Sequence, residues 1–158
     1  MNGNPQVLQY FSPALFCPDL QASTKSEALG KLVEIAAAAG GVRDPKLLLE
    51  MLRQRETLGS TGLGKGVAIP HGRSLAVVSL KVLFAICKSG LEFDSVDGKP
   101  VKLIFLIVAP PQDKGNEYLP LLGKIAELVQ DAKVRTRLGK VQDFDQLKEL
   151  MEETLRSG

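Results

Sequence analysis

The sequence predicts an α/β fold, in which helices are layered against a β-sheet. Segments whose apolar residues recur at helical spacing alternate along the chain with short apolar stretches that suit strands. Residues 103–108 are apolar at every position, which is typical of a central strand covered on both sides. The sequence leaves strand order and strand direction open.

Length and composition indicate a single globular domain. The chain has 158 residues, of which 44% are hydrophobic and 24% charged, and a chain of this size buries about 68–70% of its unfolded surface. The formal charge of +2 argues against a dedicated nucleic-acid-binding protein. The longest apolar run, residues 103–111, is too short for a membrane-spanning helix of ~18 residues. We therefore expect neither nucleic-acid binding nor membrane insertion.

The cysteines and the amino terminus predict a cytoplasmic protein. Cys17 and Cys87 both lie among apolar residues, which favours reduced core thiols over a disulfide. The first residues lack the basic and apolar segments of a secretory signal.

The first forty residues predict a lead-in, an edge strand and a helix. Residues 1–12 have the character of a flexible lead-in, and an apolar stretch at 14–20 is interrupted by Pro18, which suits an edge strand. Thr24 and Glu27 form a capping box that starts a helix. That helix is expected to end at the glycines 40–41.

A second helix and a glycine-rich loop follow. Asp44 and Pro45 have the residue types of a cap and a first helical position. Residues 59–66 contain four glycines, which predicts a loop that is neither helix nor strand. Residues 67–69 are a short strand candidate, and 70–72 are expected to form a turn after it.

The second half of the chain predicts two long strands and three helices. The strands are expected at 82–87 and 101–109. Helices are expected at about 117–130 and 133–139, and a last one is capped by Asp143.

Three familiar chemistries fit the sequence poorly. The glycine loop begins like a phosphate-binding P-loop, but Gly66 stands where that motif needs Ser or Thr, and the loop follows a helix instead of a strand. Ser60 and His71 lack the Gly-x-Ser-x-Gly elbow of a hydrolase. One histidine and two distant cysteines do not make a transition-metal site. We therefore expect no metal and no cofactor.

His71, the only histidine of the chain, is the candidate nucleophile. It stands between a proline and a glycine after a predicted strand, and alone it would be taken for a surface histidine without a role. The nearby Ser60, Thr61, Arg55 and Arg73 change this interpretation, because hydroxyls and cations around one nucleophile suit a cluster of anionic oxygens.

This region carries a long motif with a family resemblance. Its members are Arg55, Glu56, Ser60, Thr61, Gly62, Gly64, Gly66, Ala68, Ile69, Pro70, His71 and Gly72. It resembles the IIA components of the phosphoenolpyruvate-dependent phosphotransferase system, of the fructose/mannitol class that includes the nitrogen-regulatory IIA proteins. Further matches at 97–105 and 109–110 extend the resemblance to one EIIA type-2 domain over residues 13–155.

The resemblance implies a mixed central β-sheet flanked by helices on both faces. It also implies that His71 accepts a phosphoryl group from the phosphohistidine of an HPr-like carrier and passes it to a IIB domain or signals to a regulatory target. Arg55 would then neutralise phosphoryl charge.

Further residues of the motif, and Arg73 directly after it, have expected roles around the phosphoryl group. Ser60, Thr61 and the backbone of the loop, with Gly62 and Gly72, would assist Arg55. Glu56 is expected to hold the loop or Arg55, and Arg73 is a supporting cation or a surface charge.

Tyr118 departs from the family pattern. Family members usually carry a second active-site histidine in the pattern His-Leu-x-x-Leu-x-x-Leu-Ala, and tyrosine occupies that position here. A tyrosine with a pKa near 10 is uncharged at neutral pH, and its place on the apolar stripe of the helix also suits simple packing. The substitution favours a nitrogen-regulatory carrier. The alternatives are a sugar-transport IIA with a separate IIB, or a binding module that is not phosphorylated.

Overall fold

The computed structural model describes residues 7–112 and 116–157. The strands in these ranges are β1 (Phe16–Cys17), β2 (Gly62–Gly64), β3 (Val67–Ala68), β4 (His71–Arg73), β5 (Lys81–Leu91) and β6 (Val101–Ala109). The helices are α1 (Lys25–Ala38), α2 (Pro45–Thr57), α3 (Tyr118–Leu128), α4 (Ala132–Leu138) and α5 (Phe144–Ser157). Two short 3₁₀ turns, Leu8–Tyr10 and Pro13–Leu15, precede β1.

The strands form one mixed sheet around β6. Its order is β1-β5-β6-β3-β2, and β4 pairs with β6 beyond the end of β3. The long β5–β6 pair is antiparallel, whereas β3 and β4 are both parallel to β6. β1 is parallel to β5 and forms one edge, as the interrupted apolar stretch predicted.

Two hydrophobic cores lie on the two faces of the sheet. Leu103, Phe105 and Ile107 of β6 pack in the core under α3, α4 and α5. The residues that alternate with them along β6 pack in the core under α1 and α2. Side chains of a strand point alternately to opposite faces, so a strand that is apolar throughout serves both cores. The predicted sheet with helices on both faces is confirmed.

The predicted helix starts are confirmed by their hydrogen bonds. The Glu27 backbone N–H donates to Thr24 Oγ1 at 3.1 Å, and the Glu27 carboxylate accepts from the Ser23 backbone N–H at 2.7 Å. In α2 the Leu47 backbone N–H donates to Asp44 Oδ1 at 3.2 Å. These bonds satisfy backbone donors that have no partner within the helix.

The segment before β1 is not a loose lead-in where the structure describes it. Val7 and Phe11 are 8% and 6% exposed and belong to the core under α3, α4 and α5. The Phe11 ring stands edge-on to Phe105, with ring centroids 6.4 Å apart. Burial of these side chains favours an ordered backbone over residues 7–12. Residues 1–6 lie outside the described residues.

The glycine loop contains a strand that the sequence did not predict. Gly62–Gly64 forms β2, which makes an antiparallel hairpin with β3. The turn between them is formed by Lys65 and Gly66, whose φ angles are 59° and 81°. Two successive left-handed residues make a tight hairpin turn, and glycine adopts that conformation without strain. Asp97 fixes the turn by accepting from the Lys65 backbone N–H at 2.8 Å.

The expected turn at residues 70–72 is wrong, because His71–Arg73 is strand β4. β3 and β4 both run along β6, and Ile69 and Pro70 separate them. Proline has no N–H to donate to a sheet ladder. The Pro70 carbonyl still accepts from the Ile107 backbone N–H at 2.9 Å, so the chain stays on β6 and pairing resumes at His71.

Replacement of Gly62 by alanine tests the close packing of the hairpin. A Cβ at Gly62 would lie 2.4 Å from Ser95 Oγ and 3.0 Å from Ser95 Cα. We expect Gly62→Ala to lower the free energy of unfolding by about 1–3 kcal/mol, measured by urea denaturation. The control is Gly30→Ala in α1, where a Cβ meets nothing within 4 Å. This change should raise the free energy of unfolding by about 0.5–1 kcal/mol, because alanine suits a helix interior better than glycine. Equal effects of the two changes would contradict the close-packing argument.

Candidate functional site

His71 lies at an edge of the sheet, as the first residue of β4. Among the described strands β4 pairs with β6 alone, so its other side is not covered by a strand. Ile69 and Pro70 are buried and His71 is partly exposed. Buried backbone therefore positions an imidazole that remains reachable from outside.

The register of β4 places two charged or ionisable side chains on one face. His71 lies opposite Ile107 of β6, and Arg73 lies opposite Ala109. Ile107 and Ala109 both belong to the core under α3, α4 and α5. His71 and Arg73 therefore lie on the α3 face of the sheet.

Gly72 lies on the opposite face, against α2. It pairs with Val108, which belongs to the core under α1 and α2. A Cβ at this position would lie 2.3 Å from Met51 Sδ. Glycine thus lets α2 pack directly against β4 through Met51.

A hydrogen bond fixes the tautomer of His71. Nδ1 lies 2.6 Å from the Ile69 carbonyl oxygen. A carbonyl can only accept, so Nδ1 carries the proton and Nε2 carries the lone pair.

Arg55 lies in the last turn of α2, where a cation is favourable because it faces the carbonyl end of the helix. One of its guanidinium nitrogens donates to the Gly59 carbonyl at 2.9 Å. This bond ties Arg55 to the start of the glycine loop. The positive charges of Arg73 and Arg55 both act to lower the pKa of Tyr118.

Tyr118 is the first residue of α3 and is 4% exposed. The guanidinium carbon of Arg73 lies 4.7 Å from the centroid of its ring. Burial raises the pKa of Tyr118, and the positive charges of Arg73 and Arg55 oppose that rise. The phenol therefore stays protonated at neutral pH, and the arginines supply the positive charge here.

Ser60 and Thr61 use their hydroxyl hydrogens inside the protein. Ser60 Oγ donates to the Phe93 carbonyl at 2.6 Å and accepts from the Gly62 backbone N–H at 3.0 Å. Thr61 is 3% exposed, and its hydroxyl donates to the Glu56 carboxylate. The geometry does not support the expectation that these hydroxyls donate to a ligand, since it makes them part of the loop's internal structure.

Glu56 holds the loop, one of the two roles expected of it. Its carboxylate accepts from the Thr61 backbone N–H at 3.1 Å and from the Thr61 hydroxyl. The same carboxylate accepts from Lys25 Nζ at 2.8 Å. The two side chains are only 17% (Lys25) and 6% (Glu56) exposed, so the ion pair joins α1, α2 and the loop in a largely desolvated position.

Sequence reasoning missed Lys25. Its Nζ lies 4.6 Å from the Phe93 ring centroid and 3.7 Å from the Asp94 carboxylate, in addition to its bond with Glu56. One signal was available, because Lys25 is the first residue of α1. A cation is unfavourable at the amino end of a helix, and its presence there indicates a compensating partner.

The described residues contain neither a metal cluster nor a membrane helix. Within 7–112 and 116–157, no group of three or more His, Cys, Asp or Glu side chains is placed to hold a metal ion. No helix in these ranges has the length and apolar character needed to cross a bilayer. A cavity of about 710 Å³ is lined by Leu75, Pro110 and Pro111 among others, but not by His71.

Comparison with known proteins identifies the family. Residues 9–154 match the family described as phosphoenolpyruvate-dependent sugar phosphotransferase system, EIIA 2. The chain therefore belongs to this family, as its motif predicted.

Relatives within this family carry both regulatory and transport names. A nitrogen regulatory protein of Bradyrhizobium diazoefficiens is 37% identical over 137 residues, which cover 87% of this chain and 88% of that protein. A PTS system fructose-specific EIIA component of Haloferax volcanii is 32% identical, with coverage of 84% and 86%. The crystal structure of nitrogen regulatory protein IIA-Ntr from Neisseria meningitidis superposes with a TM-score of 0.84 at 29% identity, with coverage of 92% and 99%.

Removal of Lys25 tests the ion pair that holds the loop. Lys25→Met leaves the Glu56 carboxylate, 6% exposed, without its cation. We expect a loss of about 3 kcal/mol in the free energy of unfolding, because a buried charge left unpaired is strongly destabilising.

The matched control is Arg137→Gln, which breaks an ion pair with Glu153 whose side chains are 49% and 52% exposed. Solvent screens such an exposed pair, so its loss should change the free energy of unfolding little. If both substitutions have the same small effect, the Lys25–Glu56 pair does not have the structural role assigned to it.

Proposed function

We propose that this protein is a phosphoryl carrier in which Nε2 of His71 accepts a phosphoryl group from the phosphohistidine of an HPr-like carrier protein. The observation that carries the proposal is the bond from Nδ1–H to the Ile69 carbonyl. It directs the nucleophilic lone pair to Nε2, on an imidazole at the uncovered side of β4. A neutral imidazole nitrogen with a fixed tautomer is a suitable nucleophile.

The transfer exchanges one nitrogen–phosphorus bond for another. Nε2 of His71 forms a bond to phosphorus while the donor's N–P bond breaks, and the donor nitrogen keeps the electron pair. The proton of His71 stays on Nδ1, where the Ile69 carbonyl stabilises the positive ring. In such reactions the protein contributes mainly positioning and charge stabilisation. We assign the charge stabilisation to Arg55, which lies in the last turn of α2.

We assign the carrier a nitrogen-regulatory role in the cytoplasm, with its phosphorylation state as the signal to a target protein. The relatives named nitrogen regulatory protein support this role because they match over most of their own length. The relative named for fructose supports the second candidate, a sugar-transport IIA that passes the group to a separate IIB domain. A neighbouring gene for a sugar permease would favour transport, and one for a nitrogen-type sigma factor would favour regulation.

Intact mass spectrometry tests acceptance at His71. After incubation with phosphoenolpyruvate, enzyme I and an HPr-like carrier, the wild-type protein should gain one acid-labile phosphoryl group. His71→Ala should gain none and should unfold at the same urea concentration, because the side chain is partly exposed and reactive. Phosphoramidate, a small-molecule donor, serves as a control that separates a wrong protein donor from a wrong acceptor. Full phosphorylation of His71→Ala would refute the assignment of His71 as the acceptor. If neither donor phosphorylates the wild-type protein, the result would favour a binding module that is not phosphorylated.

Nuclear magnetic resonance tests which nitrogen is modified. In the ¹⁵N-labelled, phosphorylated protein, we expect one-bond coupling between ³¹P and Nε2, with Nδ1 still protonated against the Ile69 carbonyl. The unphosphorylated protein provides the reference assignment of both nitrogens. Coupling to Nδ1 instead would show that the Ile69 bond does not direct the reaction.

A further inference from the structure

Arg73 stands beside the nucleophile on the same strand. His71 and Arg73 are separated by one residue of β4 and lie on the same face of the sheet. Alternate residues of a strand are about 6.5 Å apart, and an arginine side chain is long enough to reach a group bound to its neighbour. The pairing of β4 with β6 thus puts a cation and the imidazole on the same side of the strand.

Tyr118 restricts where that cation lies. Arg73 is an exposed residue, and an exposed arginine samples many rotamers. Its guanidinium nevertheless lies 4.7 Å from the ring centroid of Tyr118. The ring itself is fixed, because Tyr118 is 4% exposed and packs in the core with Leu121 and Ile125 of α3.

A guanidinium that lies over an aromatic ring can still donate hydrogen bonds. Its attraction to the ring is electrostatic, whereas its five N–H donors lie in its own plane. Within the described residues, Arg73 donates to no side chain or carbonyl. An oxyanion near His71 therefore meets a cation that is oriented but not already engaged.

We propose that Arg73 contacts the phosphoryl group on His71 and that Tyr118 is a positioning residue that holds the Arg73 guanidinium in place. This inference rests on the carrier function proposed above. In this proposal two arginines supply the positive charge at the site. Arg55 donates to the Gly59 carbonyl, and Arg73, on the other face of the sheet, lies over the Tyr118 ring. In this proposal Tyr118 acts through its ring, the part of the side chain over which the Arg73 guanidinium lies.

Four variants test this division of roles. The rate of phosphoryl transfer from the phosphorylated carrier would be measured as kcat and KM for Tyr118→Phe, Tyr118→Leu, Arg73→Gln and the double variant Tyr118→Leu/Arg73→Gln. Tyr118→Phe keeps the ring and should match the wild type. Tyr118→Leu should lower kcat about two- to fivefold, the worth of an exposed cation–π contact. Arg73→Gln should lower it about tenfold or more, as expected for a hydrogen bond to a charged group.

The double variant separates positioning from packing. If Tyr118 acts through Arg73, the double variant should be no slower than Arg73→Gln alone, because the two effects are coupled. The packing control is Ile125→Val in α3, which removes a methyl group from a residue that is 1% exposed. It should lower the free energy of unfolding without changing kcat.

Any of three results would overturn the inference. The first is a wild-type kcat in Tyr118→Leu, and the second is a double variant whose loss in kcat is the sum, in free energy, of the two single losses. The third is an Arg73→Gln variant in which only KM rises, because that would indicate a role in docking of the donor.

Failure of the wild type to accept any phosphoryl group would instead refute the carrier function. The contact between Arg73 and Tyr118 is then tested independently by the NMR signal of the Arg73 Nε–H, which the ring current of Tyr118 should shift upfield. That shift should persist in Tyr118→Phe and disappear in Tyr118→Leu, and its absence from the wild type would refute positioning by Tyr118.

Discussion

The pairing of β4 with the end of β6 is the constraint on which the site depends. β6 is buried on both faces, so its position is set by two cores at once. The register with β6 decides that His71 and Arg73 lie on the α3 face and that Gly72 meets α2. Slippage by one residue would exchange these faces, so the two cores that fix β6 also fix which face of the sheet His71 lies on.

The Lys25–Glu56 pair supplies a second constraint, on the loop that precedes the sheet edge. Buried ion pairs contribute little net stability compared with apolar packing, but breaking one is costly. Here the carboxylate also accepts two hydrogen bonds from Thr61, so it sets the path of the loop as well as the contact between α1 and α2. We interpret the pair as a contact that selects one loop conformation, and not as a net source of stability.

The sequence predicted features with strong local signals and missed those set by distant contacts. The bounds of β6 and the caps Thr24 and Asp44 were predicted because an apolar run and a capping residue act locally. β2 and β4 were missed, since short strands rich in glycine carry no periodic pattern and exist through pairing with their neighbours.

The site shows the same division. The nucleophile candidate and Arg55 were found from the motif, Arg73 from its place two residues after His71, and Tyr118 because it departs from the family pattern. The contact between Arg73 and Tyr118 joins residues 45 positions apart. Helical and strand periodicities describe only neighbours along one element, so they do not predict such a contact. It matters for the chemistry because burial keeps the Tyr118 phenol protonated, whereas arginine remains charged at every physiological pH. Under the proposed function, the positive charge that Arg55 and Arg73 present to a phosphoryl group on His71 would therefore not change with pH. The positions of the two guanidinium groups would then determine how strongly they stabilise that group.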